Sequence, residues 1–209
     1  MSRSTLLTSR LREIAIRAGV ELDEGQIGQL EEYLAILARW NSRINLTGLP
    51  LDGYPAAALD RLVGESIRVS ALVPADVKVW FDLGSGGGSP AIPLKVVRPE
   101  IALRMVESRF RKAAFLREAI ISVGFRETVV ICDRVENIAS SFALSADLVT
   151  VRAVKLSDEL TAAIDTLLSE RGVLLIFGSP DTSAVLRRFS VAQQQAPDVV
   201  VFNRGVRAS

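Results

Sequence analysis

A short apolar run, Val77 to Phe81, delivers the backbone into Asp82-Leu83-Gly84-Ser85-Gly86-Gly87-Gly88-Ser89-Pro90, where residues 84–88 hold four glycines. Glycine takes positive φ without steric penalty and lets a backbone approach a ligand, and a following helix N-terminus offers free N–H groups. A strand that opens this way into a helix is a nucleotide-type binding loop. The dinucleotide fingerprint G-x-G-x-x-G/A begins correctly at Gly84 and Gly86, but its third position falls on Ser89, with Pro90 next. The spacing that fits is D-x-G-x-G-x-G, on Asp82, Gly84, Gly86 and Gly88. A tight turn with no ligand is the alternative.

From residue 76 onward strand and helix patterns alternate, which argues for a mostly parallel sheet with helices on both faces. The predicted strands are 77–83, 101–106, 128–132, 147–151, 172–177 and 198–203, and the predicted helices 90–97, 109–123, 157–169 and 181–190. The first third reads as helices. Asp23, with Gln26 three residues on, starts one that carries Leu30, Leu34 and Leu37 at helical spacing; Pro55 to Leu72 forms another. Residues 1–75 are therefore expected as an N-terminal helical cap and 76–209 as the α/β domain, with 49% hydrophobic residues supplying its core. Residues 1–20 are amphipathic and Arg-rich in the manner of a transit peptide, but Glu13 and the Leu7, Leu11, Ile14 face favour an ordinary helix.

The chain has no histidine. That removes Ser-His-Asp and Cys-His catalysis and argues against a metal site. The one cysteine, Cys132, cannot form an internal disulfide, and no apolar run nears the roughly 18–20 residues that span a bilayer. A cytoplasmic protein, with no membrane partner and monomeric by preference, is expected.

Ligands of open α/β sheets sit at the carboxyl ends of the strands. Those ends are the glycine loop, Glu107, Asp133-Arg134-Val135-Glu136 and Arg152. Glu107 lies where a carboxylate accepts hydrogen bonds from ribose hydroxyls, or it simply caps a helix. Arg109, Arg111, Lys112 and Arg117 cluster on the next helix, and Arg187, Arg188, Arg204 and Arg207 lie late in the chain. The formal charge is only +1, so a nucleic-acid surface would have to be local. Trp40 and Phe110 are read as core or cap packing, with base stacking as the alternative.

The D-x-G-x-G-x-G loop resembles motif I of the class I S-adenosylmethionine (SAM) methyltransferases, whose fold is Rossmann-like. Trp40-Asn41-Ser42-Arg43-Ile44-Asn45-Leu46-Thr47 resembles the W-N-x-x-x-N-L-T signature of the RsmG/GidB family, bacterial methyltransferases of guanine N7 in 16S rRNA. The resemblance continues in order through Pro90-Ala91-Ile92-Pro93-Leu94, Glu107-Ser108, Arg111-Lys112, Phe115-Leu116-Arg117, Arg134-Val135-Glu136 and Arg152-Ala153. It implies SAM as cofactor and rRNA or the small ribosomal subunit as partner. It also implies cofactor contacts at Asp82, Gly84, Gly86, Gly88, Ser89, Glu107, Val135, Glu136 and Arg152, with Arg152 also the catalytic residue. Guanine N7 has a free lone pair, so its methylation needs no general base, which suits a chain without His. The sequence departs from the family at Leu62-Val63-Gly64-Glu65-Ser66, in place of H-x-x-D-S, and at Ile176-Phe177-Gly178, in place of L-K-G. Gly87 and Ser89 stand where the family has proline and an apolar residue. These departures keep open a different methyl acceptor, or a non-catalytic binding module; an NAD-dependent oxidoreductase is the remaining alternative.

Overall fold

The computed structural model describes residues 3–178, 181–195 and 199–204. Its centre is a seven-stranded sheet: β1 (Val79–Leu83), β2 (Ala102–Val106), β3 (Thr128–Ile131), β4 (Ala146–Arg152), β5 (Leu168–Phe177), β6 (Phe189–Gln195) and β7 (Val199–Arg204). They run in the order β3-β2-β1-β4-β5-β7-β6. β1 to β5 are parallel, while β7 is antiparallel to both β5 and β6. The order reverses between β1 and β4, so the crevice above their carboxyl ends is where such a sheet takes its ligand.

The two-residue period of the strands splits their apolar side chains between two cores. Trp80, Leu103, Met105, Leu148, Leu175 and Phe177 face one layer; Phe81, Leu83, Val106, Val149, Val151, Leu174 and Ile176 face the other. The first layer contains α1 (Arg3–Ala18), α2 (Glu24–Asn41) and a helical run over 56–72. That run comprises α3 (Ala56–Leu59), a π-turn (Asp60–Gly64), α4 (Glu65–Val69) and a 3₁₀ turn (Ser70–Leu72). α5 (Ala91–Val97) and α6 (Phe110–Val123) complete the layer. The opposite layer holds α7 (Val135–Ile138), α8 (Asp158–Leu167) and α9 (Ser183–Leu186). The N-terminal helices thus share one continuous core with the sheet.

Local signals account for the element starts. Asp23 accepts the Gln26 N–H at 2.8 Å while the Gln26 side chain accepts the Asp23 N–H at 3.0 Å, a reciprocal capping box opening α2. α6 ends where Gly124 takes φ +76°. The tail differs from the sequence reading. The helix expected over 181–190 is only the short α9, and Phe189–Gln195 forms an additional strand at the sheet edge. Its polar residues carry little strand signal; hydrogen bonding to β7 supplies the order.

Candidate active site

β1 runs through the centre of the sheet and ends in the glycine loop. Gly84, Gly86 and Gly88 have φ of +71°, +47° and +86°. A Cβ on Gly84 would lie 2.6 Å from Val154 Cγ2, and one on Gly88 2.6 Å from Ile92 Cδ1, so both positions require glycine on two grounds. Gly84→Ala is expected to cost about 2 kcal/mol, lowering the melting temperature by roughly 4–8 °C, as a thermal melt would read.

The loop is held from three sides. Ser89 Oγ donates to the Leu62 carbonyl at 2.8 Å, and Tyr33 OH donates to the Gly87 carbonyl at 2.8 Å. Burial raises the Tyr33 pKa well above its ordinary value, so it remains a neutral donor. The third support is Glu107, whose carboxylate accepts the Gly86 N–H at 3.0 Å and the Arg109 N–H at 2.8 Å. The octet Trp40 to Thr47 closes over the loop: Asn41 Oδ1 accepts the N–H groups of Leu46 and Thr47 at 2.8 and 2.9 Å, and the Leu46 carbonyl lies against Gly87.

Two cavities meet at Gly84. One, of about 400 Å³, lies between the loop and the 46–49 segment and is also lined by Arg61, Leu62, Lys112 and Arg152. The other, of about 410 Å³, is lined by Val106, Ser108, Asp133 to Glu136, Val154, Lys155 and Ser157. Of the residues singled out in sequence, Gly84, Gly86, Ser89 and Arg152 line the first, and Gly84, Val135 and Glu136 the second. Asp82, Gly88 and Glu107 line neither, although Glu107 holds the loop through the Gly86 N–H.

Asp82 is buried. Its Oδ1 accepts Thr150 Oγ1 at 2.5 Å, Thr150 in turn accepts Trp80 Nε1 at 2.8 Å, and Oδ2 has no hydrogen-bond partner. Burial pushes the Asp82 pKa up to about 6, against the hydrogen bond from Thr150 and the charge of Arg152, which lower it. A buried carboxylate oxygen without a donor, two residues before the glycine loop, fits a cationic ligand group.

Arg152 is nearly enclosed. Its Nη2 lies 2.6 Å from Glu65 Oε2, its Nη1 donates to the Arg61 carbonyl at 2.7 Å, and its guanidinium sits 4.6 Å from the centre of the Phe177 ring. Nε is buried without a partner. Burial lowers its pKa, and the Glu65 carboxylate opposes that shift. The carboxylate partner of Arg152 is Glu65, in the segment where the family has H-x-x-D-S. Phe177, in place of the family Lys, is the register neighbour of Arg152 across β4 and β5 and covers its face. Ala153, next along, takes φ +55°, a strained conformation of the kind concentrated at functional sites. Sequence reasoning passed over Tyr33 and Thr150 and met Glu65 only within the segment that departs from the family pattern. Only Glu65 carried a signal, as the carboxylate kept in a family segment.

In the late basic cluster, Arg187 pairs with Asp158 and Arg188 with Asp165, and Arg207 lies outside the described residues. Among the described residues no group of His, Cys, Asp and Glu could hold a metal, and no helix is long and apolar enough to cross a membrane.

A parallel sheet of this order, with a glycine loop ending its first strand and cavities on either side, is the Rossmann-like fold of class I methyltransferases. A mutant MtNAS in complex with S-adenosylmethionine superposes with a TM-score of 0.61 at 14% identity, covering 96% of this chain and 77% of that one. The family model described as rRNA small subunit methyltransferase G (GidB) matches residues 26–201, and the chain belongs to that family. Proteins named Ribosomal RNA small subunit methyltransferase G are similar to it. That of Syntrophotalea carbinolica is 30% identical over 86% of this chain and 82% of its own length. That of Chromobacterium violaceum is 35% identical over 63% of this chain, and the match spans 61% of that relative's length.

Proposed function

We propose that this protein transfers a methyl group from SAM to N7 of a guanine in small-subunit rRNA, in the cytoplasm. The observation that carries the reading is the pair of cavities joined at Gly84. One has cations on its walls and is lined by the loop that follows Asp82, whose buried carboxylate keeps one oxygen without a donor; the other lies at the ends of β2 and β4. Asp82 takes the ammonium of the cofactor's amino acid part and Lys112 its carboxylate. The backbone of Gly84, Gly86, Gly88 and Ser89 forms the cradle, Glu107 uses its remaining lone pairs for ribose hydroxyls, and Val135 and Glu136 border the adenine. SAM supplies an electrophilic methyl on a sulfonium.

No residue has to remove a proton, because the accepting nitrogen carries none. What the chain supplies is alignment and charge. Arg152, held by Glu65, the Arg61 carbonyl and Phe177, presents a fixed guanidinium to a phosphate or to guanine O6. A bidentate contact to O6 and N7 would block the acceptor. The 46–49 segment walls the cavity, which gives residues 1–75 the role of a cap that completes the acceptor side.

A second reading keeps SAM but changes the acceptor. It is favoured by Leu62 and Phe177, which put apolar groups where the family carries His and Lys. Thermal titration against SAM, S-adenosylhomocysteine and NAD tests the cofactor: at about one hundred times Kd the first two stabilise by about 2.7 kcal/mol, roughly 5–10 °C, and NAD does not. Labelled-methyl transfer to protein-free small-subunit rRNA, assembled subunits, protein and metabolite fractions tests the acceptor. Incorporation confined to metabolites or protein would replace the rRNA reading by the second.

A further inference from the structure

Phe110, the first residue of α6, is 74% exposed, contrary to the core or cap packing expected for it. Trp40, the other candidate, is engaged: its ring meets Phe115 edge-on at 6.1 Å and its Nε1 donates to Glu118 at 3.0 Å. Phe110 lies between Ser108, which lines one cavity, and Lys112, which lines the other, so the first turn of α6 borders both. Arg109, Arg111 and Arg117 are exposed around it, and none has a carboxylate partner among the described residues. Several arginines elsewhere are paired, such as Arg12 with Glu24, Arg39 with Glu118, Arg68 with Asp60 and Arg98 with Glu100, and what sets the α6 arginines apart is their clustering around an exposed ring beside both cavities. The nearby carboxylates are already engaged or lie to one side. Glu107 is turned onto backbone N–H groups, Glu118 is held by Arg39 and Trp40, and Asp133 and Glu136 border the second cavity.

We propose that Phe110 is a stacking platform for an unpaired base of the rRNA, with Arg109, Arg111 and Arg117 holding the flanking phosphates beside the methyl-transfer cavity. The inference rests on the rRNA reading above. A bare aromatic face among unpaired cations matches single-stranded nucleic acid, whose bases stack on aromatic rings while its phosphates meet the charge. Ile16 and Ile121 are as exposed as Phe110, but Phe110 is the exposed aromatic ring set between residues that line the two cavities and among the arginines of α6.

The test compares wild type, Phe110→Ala, Phe110→Trp and an Arg111→Ala, Arg117→Ala double variant on protein-free small-subunit rRNA and on assembled subunits. Phe110→Ala is expected to raise KM for rRNA between about 5- and 150-fold, the factor for losing one base stack, with SAM affinity, kcat at saturating RNA and melting temperature unchanged. Phe110→Trp restores binding. The double arginine variant lowers the slope of log affinity against log salt by about 1.4, whereas Phe110→Ala leaves that slope unaltered. An active wild type with Phe110→Ala equal to it overturns this inference alone. So does a defect seen on assembled subunits but not on protein-free rRNA, which would assign the surface to a ribosomal protein. A wild type that neither binds nor methylates rRNA in either form overturns the underlying reading and the inference with it.

Discussion

Arg152→Ala is expected to lose methyl transfer by at least about 100-fold and to melt roughly 6–20 °C lower than the parent protein. The two losses have separate causes. The Arg152 and Glu65 side chains are 14% and 8% exposed, and removing the guanidinium withdraws the cation that faces a buried carboxylate, a change that costs about 3–5 kcal/mol. An Arg152→Met, Glu65→Leu double variant removes both charges and fills their volume, so it is expected to recover most of the stability and none of the activity. Arg152→Lys keeps a charge but lacks the planar fork that reaches Glu65 and the Arg61 carbonyl while stacking on Phe177. Calorimetry with methyl-transfer kinetics on these variants separates the roles. Full transfer by the stable double variant would reduce Arg152 to a structural residue.

The second large effect depends on pH. Asp82 has a pKa of about 6 in the folded protein, against an ordinary value of 3.8, because burial disfavours its charge. The folded state therefore holds this proton more tightly than the unfolded chain does. The stability it contributes is complete below about pH 4, falls as the pH rises from about 4 to 6, and is lost above that. The span is worth about 3 kcal/mol. Ligand affinity runs the other way. An ammonium needs the ionised carboxylate, so SAM affinity is expected to fall about tenfold per pH unit below about 6. Asp82→Asn should flatten the acid-side stability profile of the ligand-free protein and bind SAM at least about 100-fold more weakly. Titration calorimetry between pH 5 and 8 reads the second effect; wild-type affinity constant across that range would remove Asp82 from the ammonium site.

Much of the fold was legible because its signals are local. The β1 run, the Asp23–Gln26 capping box, the Gly124 helix end and the alternation after residue 76 each lie within a few residues of what they specify. The loop was legible for the same reason, since three of its glycines carry positive φ. β6 was not, because its pairing with β7, rather than its composition, makes it a strand. Phe110 was misread because an aromatic residue at a helix start is ordinarily buried, whereas among the described residues no element covers it.

By itself the sequence determined every strand of the sheet except β6, the glycine-rich loop and the chemistry excluded by the absence of histidine. These follow from residue type and short-range spacing. Tertiary structure alone decided that Arg152 answers Glu65, 87 positions earlier, that Asn41 and Leu46 bring the N-terminal octet onto the glycine loop, and that Asp82 keeps one oxygen without a donor. Those properties depend on which groups burial brings together and on how much water it removes, and neither is encoded at any single position in the chain.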